Sequence, residues 1–80
     1  MPTFGCRLGE LVFAPNDGAT RALAQTFVQE ALTYWEPRID PPSVAVYADS
    51  KTPTLLHISI DYVVKETNLP GNLVYPFYLK

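Results

Sequence analysis

The clearest pattern in the chain is a strict alternation near its C-terminal half. Leu56, Ile58, Ile60, Tyr62 and Val64 alternate with His57, Ser59, Asp61, Val63 and Lys65. A period of two with one apolar side and one mostly polar side predicts a strand packed on a single face. A weaker alternation precedes it, with Val44, Val46 and Ala48 on one side and Ala45 and Tyr47 on the other. The polar stretch Asp49-Ser50-Lys51-Thr52-Pro53 joins the two, so they are expected to pair as an antiparallel hairpin. Earlier in the chain the period changes. From about Gly18 to Trp35, Leu23, Phe27, Val28, Ala31 and Trp35 lie near one helical stripe, and Arg21, Gln25, Gln29 and Thr33 fall mostly opposite. Asn16 or Asp17 supplies the N-cap, and Pro37 stops the helix because it disfavours helical geometry at Glu36.

The remaining segments are less regular. Met1 to Pro15 reads as an N-terminal strap, with Phe4-Gly5 and Leu8-Gly9 pairing an apolar anchor with a flexible residue and Leu11-Val12-Phe13 as a short apolar run. Asp40-Pro41-Pro42-Ser43 reads as a stiff extended link. Leu69-Pro70-Gly71-Asn72 has proline and glycine where a type II turn wants them. Leu73 to Lys80 is apolar and aromatic, and Pro76 makes it an edge strand or a strand broken midway. A segment this apolar is expected to pack on its own helix or on another chain. The predicted class is α+β: one amphipathic helix on a small antiparallel sheet, with an N-terminal strap, as a single domain over residues 1–80. If the strands form a meander, the outer ones are Val44–Ala48 and the last segment, and Pro76 blunts the latter. Val44, Val46 and Ala48 are therefore the candidate open edge for a strand from another chain.

Composition sharpens this picture. A chain of 80 residues buries only about 60% of its unfolded surface, which leaves little margin of stability. Its single cysteine, Cys6, makes no internal disulfide, and no Cys/His cluster has the spacing of a structural metal site. Apolar residues are 48% and charged residues 18%, which fits a domain that borrows stability from partners. Lysines and arginines are scattered singly and the net charge is -2, so no nucleic-acid footprint is present. No apolar run has the length of a membrane span, and no basic-then-apolar leader opens the chain; synthesis in a reducing, intracellular compartment is the expectation.

Catalytic chemistry finds few candidates. His57 reads as a surface or cross-strand residue, and Cys6 has only Arg7 to lower its pKa. Glycoside hydrolysis would need two carboxyl groups about 5–9.5 Å apart, one with a raised pKa. Glu30, Glu36 and Asp40 are the candidates, but Arg38 sits between the last two and would lower a carboxyl pKa. No enzyme, cofactor or metal is therefore expected. Glu36 itself is oddly placed, since a carboxylate at a helix C-terminus opposes the macrodipole. In an extended segment Glu36 and Arg38 would project together, held by Pro37. They form either an exposed salt bridge or a polar clamp in which Arg38 offers its planar fork to a partner.

Four blocks in order carry a resemblance: Phe4-Gly5-Cys6-Arg7-Leu8, Leu11-Val12-Phe13-Ala14-Pro15-Asn16-Asp17, Trp35-Glu36-Pro37-Arg38-Ile39 and Asn72-Leu73-Val74-Tyr75-Pro76-Phe77-Tyr78-Leu79. Over nearly its whole length the chain resembles the gene-25-like baseplate wedge family of contractile-tailed phages. That family includes protein W of temperate phages and the corresponding baseplate subunit of type VI secretion systems. Its signature Glu-Pro-Arg triplet is matched at Glu36, Pro37 and Arg38. Members carry a further N-terminal segment with a helix before the Phe-Gly block, so the chain is expected to be a short member or part of a longer product. The resemblance implies a structural protein, present in several copies in a ring of the virion baseplate and made in the host cytoplasm. Its implied partners are other baseplate wedge proteins, the tail sheath protein, and the tail tube or hub, with no nucleic acid and no membrane. It implies that Glu36, Pro37 and Arg38 meet the helical core bundle of the wedge and that the domain templates the first sheath ring. The alternatives are a muralytic, lysozyme-like glycosidase acting during host entry, or the type VI counterpart.

Overall fold

The computed structural model describes residues 7–35 and 37–80. Phe4, Gly5, Cys6, Glu36 and the side chain of Trp35 lie outside the described residues. The order is a 3-10 turn at Leu8–Leu11, helix α1 at Gly18–Trp35, and strands β1 (Ser43–Ala48), β2 (Leu55–Val64) and β3 (Leu69–Tyr78). The three strands form one antiparallel meander in the order β1-β2-β3. The expected α+β class is the observed one.

Helix α1 starts where the sequence expected. The Oδ1 of Asp17 accepts the Thr20 amide at 2.8 Å, and the Thr20 amide and hydroxyl hold the Asp17 carboxyl below its ordinary pKa. Asn16 takes a different role. Its carboxamide donates to the Pro53 carbonyl at 2.7 Å and accepts from Arg21 at 2.6 Å, tying the helix start to the β1–β2 loop.

The buried stripe of α1 is Thr20, Ala24, Phe27 and Val28. Leu23, expected in the core, is 47% exposed. At 3.6 residues per turn it sits one step, about 100°, round the helix from Ala24, outside the stripe centred on Ala24, Phe27, Val28 and Ala31. The stripe packs on Val44, Ile58 and Ile60, with Leu8 and Leu11 of the strap completing the core and Val46, Tyr62 and Phe77 at its margin. Within the run Leu11-Val12-Phe13 only Leu11 docks; Phe13 is 82% exposed. The last residues close onto the strap, with Leu79 buried and the Lys80 amide bonded to the Val12 carbonyl at 2.6 Å.

The expected turn at Leu69–Asn72 is a correction. Those residues are the first four of β3, paired across to Val64, Val63, Tyr62 and Asp61. The chain reverses earlier, through Lys65–Asn68, where Asn68 adopts φ 58° and its amide bonds the Val64 carbonyl at 2.7 Å. Asparagine tolerates the left-handed conformation, so no glycine is needed there. Gly71 serves another purpose: the ring of Tyr62 on β2 lies over it, in space that a Cβ would occupy. Asn72 reaches across to the Asp61 carboxylate at 2.7 Å.

One register shift separates the link from β1. Ser43 to Ala48 pair with Asp61 to Leu56. Upstream, Ile39 bridges Val64, flanked by bonds from the Asp40 amide to the Val63 carbonyl (3.0 Å) and from the Lys65 amide to the Arg38 carbonyl (2.8 Å). The two registers differ by one residue, so Pro41-Pro42 carries a β-bulge. The stiff link is thus a bulged continuation of β1.

Candidate functional site

The hydrogen-bond pattern decides which backbone groups of the sheet are free. In an antiparallel pair, alternate residue pairs exchange N–H and C=O, and the others turn theirs away. The Asp49 amide bonds the Leu55 carbonyl at 3.0 Å, continuing the β1–β2 register by one step. Ser43, Ala45 and Tyr47 therefore face β2, and Val44, Val46 and Ala48 turn their backbone groups to the outer edge. On the opposite side the Leu79 amide bonds the Thr54 carbonyl at 2.7 Å. Even-numbered residues of β3 therefore face outward, and these include both Pro70 and Pro76.

The two edges are thus unequal. Prolines remove two of the five outward donors of β3 and none of those of β1. The sequence reading recognised Pro76 as a blunting residue; Pro70 had been assigned to a turn and its part in the same edge was missed. The expected edge residues are together on β1, but they are not equally accessible. Val44 is only 5% exposed, packed beneath α1, and Gln29 bonds the adjacent Pro42 carbonyl at 2.9 Å. Val46 is half-buried and Ala48 is exposed. The edge opens toward its Ala48 end, and among the described residues nothing bonds the outward groups of Val46 and Ala48.

Just beyond Ala48 lies a polar cluster that sequence reasoning placed only as a polar loop and a cross-strand histidine. The Asp49 Oδ2 accepts the Lys51 and Thr52 amides at 3.0 and 2.8 Å, and its Oδ1 is 2.8 Å from His57 Nε2. The bond to His57 and the two loop amides pull the Asp49 carboxyl down to about 2. The His57 ring stacks on Tyr47, its partner in register, with centroids 5.2 Å apart. An aspartate opening a short polar loop is the sequence signal for such amide capture; its reach to His57 follows only from the strand register.

The charged corner is partly described. Pro37 and Arg38 are exposed and lie in a turn, and regular pairing begins only at Ile39. The extended geometry expected to align positions 36 and 38 therefore does not hold at Pro37 and Arg38. Among the described residues, no ion pair engages the Arg38 guanidinium. Its backbone carbonyl is fixed by Lys65, so the corner is anchored on the β2–β3 turn. Of the carboxylates, Glu30 is bound to Arg7 at 3.3 Å, and Arg7 lies 4.2 Å from the centroid of the Phe27 ring. Asp40 is exposed beside the bulge. Among the described residues no acidic, histidine and cysteine side chains are grouped to hold a metal, and no helix is long and apolar enough to cross a membrane.

Comparison with known proteins identifies a family and a similar solved structure. The family model for the baseplate wedge protein gp25 matches residues 1–69. A crystal structure from Geobacter sulfurreducens, of a protein bearing the provisional name tail lysozyme, is 44% identical with a TM-score of 0.82, covering 99% of this chain and 71% of that one. No curated protein matches.

Proposed function

Because the chain belongs to the baseplate wedge protein gp25 family, we propose that it is a structural subunit of a contractile-tail baseplate, linking the wedge to the first ring of the sheath. The family supports a phage baseplate-type protein that assembles with other baseplate proteins in the virion tail. The finer reading rests on one observation, the inequality of the sheet edges. Both prolines of β3 face outward, whereas β1 presents unblocked donors and acceptors at Val46 and Ala48. A sheath arm adds beside β1 as a further strand, its backbone supplying affinity and its alternate side chains specificity. Arg38, exposed on an anchored turn, offers its fork to carboxylates or carbonyl oxygens of the wedge core bundle, with Glu36 and Pro37 completing the corner.

The test separates the two contacts. Val46→Pro removes an outward amide without removing a bond to β2, so sheath polymerisation is lost while wedge assembly persists. Arg38→Ala has the reverse effect on wedge assembly and leaves the fold intact. Normal sheath growth with Val46→Pro ends the strand-addition reading.

A muralytic reading is raised by the name of the Geobacter protein. Glu30 is held in an exposed ion pair, and Asp40 is exposed to solvent; neither lies in the enclosed apolar pocket that a catalytic acid of this kind occupies. We favour a role without catalysis, and a zymogram with purified protein checks it. Clearing of peptidoglycan that disappears in Glu36→Gln would establish the enzyme instead.

A further inference from the structure

We propose that the free chain pairs with a second copy of itself through β1, in an antiparallel two-fold arrangement centred on Tyr47. The strand that carries this edge, Ser43–Ala48, is uncharged, rich in β-favouring residues and free of proline. Such an edge is a template for pairing with another strand unless something blunts it. The opposite edge is blunted by Pro70 and Pro76, so each copy has one competent edge. Pairing of like edges closes on itself, giving a two-fold dimer and not an open filament.

The geometry selects the register. Only Val46 and Ala48 combine outward backbone groups with accessibility, because Val44 lies beneath α1 and Gln29 covers the Pro42 carbonyl. Two-fold pairing that uses both residues sets Val46 against Ala48 of the second copy, and Ala48 against Val46. Each pair exchanges two hydrogen bonds. Tyr47 then meets its own copy on the axis, in the non-hydrogen-bonded position where facing side chains come closest. Tyr47 is half-exposed, on the sheet face away from α1, and is braced by the stacked His57 ring. An aromatic pair on that face extends across the junction. Because α1 covers the Val44 end of β1, the antiparallel arrangement sends the two helices toward opposite ends of the joined strands. The interface is small, so the dimer is weak and reversible. It occupies the edge assigned above to a sheath strand but does not depend on that assignment; the two occupants exclude each other.

The experiment uses the purified chain alone, so its failure is distinct from failure of baseplate assembly. The wild-type mass rises from 8.9 kDa toward twice that value as concentration approaches about 1 mM, where weak pairs form. In a Cys6→Ser background, Tyr47→Cys crosslinks to a covalent dimer on mild oxidation at least tenfold faster than Val74→Cys, placed on β3. Amide exchange at Val46 and Ala48 slows with concentration, while Asn72 and Val74 do not change. Val46→Pro restores the monomer mass; the exchange data carry the test if that variant does not fold. A constant monomer mass, or equal crosslinking at the two cysteine positions, overturns the proposal.

Discussion

Replacing Gly71 by alanine isolates the contact that lets β3 begin where it does. A Cβ at this position falls within van der Waals contact of Tyr62 Cζ and Oη and 2.7 Å from Cε2. The obstacle is the far end of a side chain, so the backbone can stay and the ring must swing away. Tyr62 packs against the core margin, and displacing it costs about 1–3 kcal/mol by analogy with overpacked sites. Alanine recovers about 0.5–1 kcal/mol relative to glycine in a strand. The net expectation is a loss of about 1 kcal/mol, or a fall of roughly 4–8 °C in Tm for a domain of this size. The sign reverses in a Tyr62→Ala background, where Gly71→Ala becomes stabilising by about 0.5–1 kcal/mol. Urea and thermal unfolding of the four proteins in this cycle measure the coupling. Destabilisation of equal size in both backgrounds refutes the reasoning, because the cost would then lie in the backbone and not in the ring.

Three further outcomes are expected. The Asp49 carboxyl is lowered from 3.8 to about 2, so its support for the β1–β2 loop is full above about pH 4 and is lost as pH falls through about 2; amide exchange at Lys51 and Thr52 follows that window, and Asp49→Ala abolishes the pH dependence. Ile58→Ala, at a fully buried position, costs about 3 kcal/mol, whereas Leu23→Ala costs under about 1 kcal/mol in the same denaturant series. Arg38→Ala leaves the unfolding midpoint within error of wild type, since no described ion pair uses its guanidinium, and its effect is confined to assembly with wedge partners.

Period and punctuation made much of this fold legible. The alternation from Leu56 to Val64 and the helical stripe ending at Pro37 each describe a single element against a single face, and both were found where the pattern placed them. The failures arose where two elements share one constraint. Leu69-Pro70-Gly71-Asn72 has the composition of a turn, but its glycine answers to a tyrosine nine residues earlier and its proline to an open edge. Leu23 was misplaced because it borders the apolar stripe, and the exact rotation of a helix is set by what it lies on. The link between Asp49 and His57 could not be read from spacing alone, since it needs the register of the β1–β2 pair. For the same reason the edge could be named from the sequence, but its narrowing to Val46 and Ala48 required the position of α1 over Val44.

The extra residue at Pro41-Pro42 has a geometric consequence for the corner upstream. Ile39 stands opposite Val64, on the side of the sheet that α1 covers, which leaves its neighbours Arg38 and Asp40 to the other side. If the link kept its present length without the bulge, the alternation counted back from Ser43 would exchange those assignments; with one residue fewer it would run unbroken and keep them. Which way the corner looks is therefore a matter of parity, kept by the bulge that absorbs the odd residue of the link. A single deletion in the link should be forgiven, since it leaves Ile39 opposite Val64, whereas a second deletion would turn Ile39 to the uncovered side of the sheet and the corner with it.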